Sequence, residues 1–344
     1  MNQKPNHENE KKSGLFSWEL LAGLALMAVF LWMAFRKIPL GSFIDTLREV
    51  SLLPLAAAAA IVVLSIVLRG WRWKIMLASS QPELKKRYAV MATGVGYAVN
   101  LAIPRGGEVA RAIFLKRIAS TSLVAGLSSV LAERLIDVVS LCVLFVATLS
   151  LYQHQLEGVF PGVGRGMFFA GLLAMGGFAV MWVISRNPDR TSGWIGKILY
   201  RFWPSQAERI SGWEESFSLG LGGVFVRKNA PAMIALTAGI WLLCIAANWT
   251  IIFAFPSTRI ASLTVLDICA VTVVVAISFS LPSPGGTGTT HFFVSQMLTG
   301  IYGIDPAHAL AYATLLHLVG TVPALLLGGV SAMFMESVKT GEAS

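Results

Sequence analysis

Charge is what this sequence has least of: Lys, Arg, Asp and Glu make up 13% of its 344 residues, against 55% hydrophobic ones. Soluble domains carry roughly 25% charged residues, so the shortage excludes an ordinary water-soluble chain. With a mean hydropathy of +0.69, the composition is that of a polytopic membrane protein. Cysteine is scarce too. Cys142, Cys244 and Cys269 sit in apolar runs without paired spacing, which argues against a disulfide framework and a thiolate metal site. GGTGTT at residues 285–290 lacks the Lys-Ser/Thr ending of a Walker loop. No Ser or Cys nucleophile with a His base stands out, and His and Glu show no metal spacing. No nucleotide, metal or other cofactor is therefore expected, and the reading is of a non-enzymatic protein.

What charge there is leans positive, at +9 overall. The Lys and Arg fall in links between apolar runs, with no nucleic-acid motif around them. Positive-inside orientation explains them, and nucleic acid is not an expected partner.

Residues 1–14 read as a polar, disordered tail. The apolar run that follows, to residue 35, exceeds the roughly 7–15 residues of a signal-peptide core and ends in Arg36-Lys37, so it reads as a retained span. Residues 36–51 form a mixed-charge link, and 52–68 an uncharged second span. Residues 69–87 carry Arg69, Arg72, Lys74, Lys85, Lys86 and Arg87 against Glu83, which marks a cytoplasmic loop. Residues 122–151 cross outward, 152–166 form an outside loop, and 167–184 return. Residues 186–228 are basic again. Within them, 205–226 repeat apolar residues every three or four positions, as an amphipathic helix on the inner leaflet or on the protein's own core does. Residues 231–255 and 306–335 are further spans, and 339–344 a short tail.

Two stretches do not fit whole crossings. Residues 88–103 and 106–116 flank Pro104, Gly106 and Gly107, and both are shorter than the roughly 20 residues a span needs. LPSPGGTGTTH at 281–291 interrupts the other half in the same way. The expected fold is an all-α polytopic membrane protein with about six full spans and two re-entrant broken-helix hairpins. These lie in one domain over 15–338, placed in the cytoplasmic membrane with both termini inside. Its halves, 52–185 and 230–338, would be oppositely oriented, as in transporters built on inverted repeats.

The candidate residues cluster at these breaks. Ionisable residues at membrane depth are costly, so they mark a polar path or a buried partner. Asn100, Arg105, Gly106, Gly107, Glu108 and Arg111 belong to the first break. Ser283, Gly285, Gly286, Thr287, Gly288 and His291 belong to the second, with His317 about 11 residues into the last span, near the midplane. Helix starts at the Gly pairs would offer N–H groups to an anion, and Arg105 and Arg111 add positive charge. In a membrane that anion is a lipid phosphate; two plain turns are the alternative. Glu133 and Asp137 share a helix face, and Arg134 can reach Asp137. Glu133 and Asp137 can neutralise Arg105 or Arg111, line a substrate path, or serve acid–base chemistry. His291 and His317 are expected to approach one another, with proton-linked transport or plain packing as the two outcomes.

Three motifs in order, PRGGEVAR at 104–111, ERLID at 133–137 and SPGGTG at 283–288, resemble the flippase-like transmembrane family. That family includes the membrane half of lysylphosphatidylglycerol synthases, the bacterial multiple peptide resistance factors. The resemblance covers nearly the whole chain from the first span onward. It implies a lipid-translocating membrane domain whose partners are anionic phospholipids or lipid-linked substrates. Intramembrane lipid modification, a homodimer and a separate lipid-synthase partner are the other readings. The chain stops nine residues past Met335, so lysyl transfer by a following domain is not expected. The family's second break continues to a Glu and its last span carries an Arg; His291 and His317 stand at those places, so substrate or coupling is expected to differ.

Overall fold

A computed structural model describes residues 11–186, 226–255 and 258–341, and those residues are helices and turns. The amphipathic stretch expected at 205–226 lies outside them, apart from its last residue.

Helix α1 spans Lys11–Phe35 and turns through 86° at Arg36–Pro39 into α2, Leu40–Arg48. The link expected at 36–51 is thus largely helical, and α1 takes in residues 11–14 of the expected tail. Helix α3, Leu52–Met76, is 25 residues long. It runs straight through Arg69, Arg72 and Lys74, which corrects the expectation of a loop from residue 69. The reason is burial: Arg72 and Trp73 are both 0% exposed, so the last turns face protein.

Helices α4, Lys86–Ala102, and α5, Gly106–Ala119, form the first broken hairpin. Ile103 is extended, as a residue preceding proline prefers, and Arg105 reverses the chain with φ +61. Helix α6, Leu123–Val159, passes without interruption to a three-residue turn and then α7, Val163–Arg186. The outside loop expected at 152–166 shrinks to that turn. There Gly162 takes φ +83 and its N–H donates to Glu157 Oε1 at 2.7 Å.

Helix α8 is Ala230–Ile252 and α9 is Val265–Ser280. The start of α9 is fixed by Thr264 and Asp267, each side chain bonding the other's backbone N–H. A short turn, Pro284–Gly286, leads to α10, Thr289–Tyr302, which closes at Gly303 with φ +61. Helix α11, Pro306–Gly341, continues through residues 339–341, where a tail was expected.

Long uncharged stretches with apolar faces meeting lipid are the expected form of membrane spans. Among the described residues four helices pass by length and composition, namely α3, α7, α8 and α11, and α1 with α2 adds a fifth when the bent pair is counted as one. Helix α8 lies along α3, while α11 lies along α4 and α3. One core gathers on α11 around Leu310, Tyr312 and Leu316, with Ile268 and Val271 of α9 and Met297 of α10. A second gathers on the end of α3 around Trp73 and Met76, with Phe114 and Leu115 of α5 and Val130 of α6. The charged residues border this second core.

Candidate functional site

At the first break, α4 and α5 approach until their backbones nearly touch. A Cβ on Gly107 would overlap the Gly96 carbonyl and lie 2.7 Å from the Asn100 side chain, so only glycine fits. Asn100 Oδ1 accepts the Gly107 N–H at 2.8 Å, and the Gly106 N–H donates to Ile103 O at 3.0 Å. At the second break, Gly285, Gly286 and Gly288 have φ of +57, +72 and +82, conformations that a side chain would strain. Here the Gly286 N–H donates to Ser283 O at 3.1 Å and the Gly288 N–H to His291 Nδ1 at 3.3 Å. These four glycine donors are therefore taken by the protein itself. The expectation that these glycines offer their N–H groups to an anion does not match this geometry, because each of the four already has an acceptor.

The two breaks lie side by side. A Cβ on Gly285 would meet Leu101 at 2.8 Å, and Arg105 Nη2 donates across to Ser280 O at 3.1 Å. Helix α1 covers both: Gly23 faces the Pro282 carbonyl, Pro104 and Pro284, and Phe30 packs on Phe292 and Phe293.

Arg111 points away from the turn and into the protein, at 4% exposure, with its guanidinium 4.5 Å above the Trp73 ring. Its Nη2 donates to Glu133 Oε2. Glu133 Oε1 accepts from Arg72 Nη2 at 3.1 Å, and that same nitrogen donates to Asp137 Oδ1 at 2.7 Å. Asp137 Oδ2 in turn faces Arg69 Nη1 at 3.4 Å. Arg72 also donates to Thr237 Oγ1 of α8 at 3.2 Å, and Arg69 to Cys244 Sγ at 3.7 Å. The result is a strictly alternating row, Arg111–Glu133–Arg72–Asp137–Arg69, drawn from α5, α6 and α3. Burial of any member alone would cost several kcal/mol, so the row survives only as a unit.

The structure sorts the expected residues differently from the sequence. Glu133 pairs with Arg111 and not with Arg105. Arg134 turns to Glu108 Oε1 at 2.9 Å instead of to Asp137, because Asp137 faces α3. Arg105 stays exposed at the turn, outside the row. Arg69 and Arg72 were missed. The local signal was there: the two are three apart at the end of an apolar run, so they share one helix face.

Around the second break Ser, Thr and His side chains bond one another and the backbone. Ser283 Oγ and Thr289 Oγ1 lie 2.9 Å apart, and Ser278 Oγ and Thr290 Oγ1 lie 3.0 Å apart. His317 Nε2 is 3.0 Å from Gly285 O and 3.3 Å from Thr287 Oγ1, while the rings of His291 and His317 are 4.9 Å apart. Both rings thus hold the turn. Since His291 Nδ1 accepts the Gly288 N–H, a proton on that nitrogen would cost the bond.

Among the described residues, no group of three or more His, Cys, Asp or Glu is placed to hold a metal ion. A cavity of about 80 Å³ lies elsewhere, between α6, α7, α9 and α10, lined by apolar residues such as Phe145, Val273, Ile277 and Phe293. It touches neither the row nor the His pair.

The sequence model of the lysylphosphatidylglycerol synthase TM region matches residues 20–328. The chain belongs to that family. Both breaks and all five members of the charged row fall inside the matched region. Among curated proteins, the chain is 25% identical over 356 aligned positions to glycosyltransferase AglD of Haloferax volcanii, covering 93% of this chain and 54% of that protein. It is 24% identical over 261 positions to a UPF0104 membrane protein of Methanothermobacter thermautotrophicus, covering 72% and 75%. The chain therefore spans about half the length of AglD. Membership makes this a multi-pass membrane protein of the lysylphosphatidylglycerol synthase TM family.

Proposed function

We propose that this family member moves an anionic membrane lipid, a phospholipid or a lipid-linked substrate, across the cytoplasmic membrane. The observation that carries the reading is the buried row beside the first break. Three guanidinium groups are held by two carboxylates inside the helix bundle, which leaves positive charge for an anion. The head-group path would run by Arg111, Glu133 and the paired Glu108–Arg134, and along the polar turn of Ser283 to Gly288 with His291 and His317. Arg105 and Asn100 would set the geometry of the first turn.

Packing supports an inverted repeat as the frame for such movement. In the first half α3, the α4–α5 hairpin and α6 follow one another, and in the second α8, the α9–α10 hairpin and α11 do. Helix α6 packs on the helices of the second hairpin and α11 on α4 of the first, so each long helix also lies against the other half's hairpin. The row uses no nucleotide site, so transport would run by mass action or an ion gradient.

AglD favours one second reading. A glycosyltransferase that devotes about half its length to a region like this one points to a membrane partner for a separate lipid or glycan synthase. One experiment separates the two. Purified protein is reconstituted in vesicles carrying a head-group-labelled phosphatidylglycerol, and the label reachable by an impermeant quencher is followed. Transport predicts that the protein alone equilibrates the label between leaflets. No movement above protein-free vesicles, with co-purification of a synthase from native membranes, would replace transport with the partner reading.

A further inference from the structure

Helix α1 is fastened at its end and only leans along the rest of its length. At the end Ala34 is buried, and Phe35 meets Phe43 of α2 edge-on with ring centroids 5.3 Å apart. Helix α2 packs on α11, so this end is tied to the core across the 86° bend. Toward its start α1 lies on α10 and the second turn. Glycines make that contact: Gly23 lies against the Pro282 carbonyl, Pro104 and Pro284, and Gly288 against the Met27 carbonyl and the Leu31 nitrogen. Phe30 adds ring contacts of 5.4 Å to Phe292 and Phe293. Among the described residues, the hydrogen bonds of the two breaks run to α4, α5, α9, α10 and α11, and none runs to α1. Leu21, Leu24, Val29 and Trp32 are exposed.

The head-group path proposed above runs along the turn that α1 covers, so in this structure that side is shut to the bilayer. Resting on that reading, we infer that α1 is a lateral gate. It pivots at the bend of residues 35–39, and its Gly23 end swings off the two breaks to admit a head group from the membrane. In lipid the swing meets no hydrophobic penalty, because hydrocarbon tails replace the protein surface that α1 leaves. What resists it is the close packing at Gly23 and Gly288, and the need to keep broken backbone covered. A polar head group entering between the turns supplies that cover in place of α1. Helix and head group are thus alternative occupants of one place, and the gate opens with its cargo. The lever is long: Gly23 lies 11 residues, about 16 Å, from Ala34, so a small change at the bend moves it far. Arg105 Nη2 on Ser280 O holds the two breaks together beneath α1, which leaves α1 as the part free to move.

Joining α1 to α10 tests this. In the full chain with Cys142, Cys244 and Cys269 replaced by Ala, Phe30→Cys and Phe293→Cys are linked by a short, cleavable bifunctional thiol reagent. Translocation of labelled phosphatidylglycerol is then followed in vesicles. The linked protein should fall to the rate of protein-free vesicles, and cleaving the linker should restore the rate seen before linking. A second variant reads the gate without transport. Gly23→Leu cannot seat, because even a Cβ there would lie 2.9 Å from the Pro282 carbonyl. In that background Thr287→Cys should react several-fold faster with a membrane-soluble maleimide than in the parent. Ser128→Cys, buried in α6, should stay as unreactive as in the parent, which separates an open gate from a loosened fold. If Gly23→Leu fails to fold, Gly23→Ala makes the same contact with a smaller group and gives the same reading. Translocation that ignores the link, or labelling at Thr287 that is unchanged in both Gly23 variants, overturns the gate. A protein that never translocates, linked or cleaved, while the Gly23 variants open Thr287, removes the transport reading and leaves the gate.

Discussion

The two helix breaks solve the same problem with different chemistry. Each must end one helix and start another away from water, leaving backbone groups to satisfy. The first break does so by close packing: Gly107 lies against Gly96, Asn100 supplies a side-chain acceptor, and the buried Arg111 lies four residues beyond Gly107. The second does so by left-handed glycines and a lattice of Ser, Thr and His, and takes one charged donor, Arg105, from the first. None of the bonds that close either turn comes from the buried row, so the row is not needed to make the turns.

If that is right, the largest effect on stability comes from the row and not from either turn. Glu133→Ala leaves Arg111 with no carboxylate and Arg72 with Asp137 alone, and should lower stability by about 3–5 kcal/mol, read as thermal unfolding in detergent. A loss no greater than that of a surface carboxylate such as Asp45, exposed beside Arg48, would mean that the row carries no energetic weight.

Next come the glycines. Gly107→Ala drives a Cβ into the Gly96 backbone, which cannot rotate away, and should cost about 3 kcal/mol, the upper end for overpacking. Gly288→Ala strains a φ of +82 and lies 2.6 Å from the Met27 carbonyl, so a comparable loss is expected there. Chemical denaturation of both variants compares packing with conformation directly.

Smaller losses follow from single hydrogen bonds. Asn100→Ala leaves the Gly107 N–H unpaired and His317→Leu leaves the Gly285 carbonyl unpaired, each costing about 1–3 kcal/mol. The smallest effect is one of pH. A proton on His291 Nδ1 removes its bond from the Gly288 N–H, so acidification should loosen the second turn while leaving the first unchanged. Accessibility of an engineered Cys at Thr287, compared with one at Ile103, reads this; equal change at both positions would erase the contrast.

Much of the helical plan was legible in the sequence because its punctuation is local. Pro104 with Gly106-Gly107, and Pro284 with three glycines, each join a residue that interrupts a helix to ones that let the chain reverse, and uncharged runs of 20 residues have few other uses in a chain this apolar. Charge was the misleading guide. Arg69 and Arg72 looked like the start of a loop because most Arg beside an apolar run marks an interface. Whether an Arg leaves the membrane or turns inward depends on partners far away in sequence; Arg72 and Glu133 are 61 residues apart. For the same reason the reach of Arg134 was misjudged: i, i+3 spacing toward Asp137 permits a contact, but α3 claims Asp137 first. The loops expected at 36–51 and 152–166 failed differently. Mixed or Gly-rich composition lowers helix propensity only slightly, and packing overrides it.

The central claim is that Arg111 faces a lipid anion and is not merely the partner of Glu133. Its most direct test is lipid translocation in proteoliposomes by Arg111→Ala and by the double variant Arg111→Ala, Glu133→Ala, each checked for folding. Both should be inactive, because restoring charge balance does not restore the anion's ligand. Recovery of wild-type translocation by the double variant would show that the pair is structural, and would contradict the account.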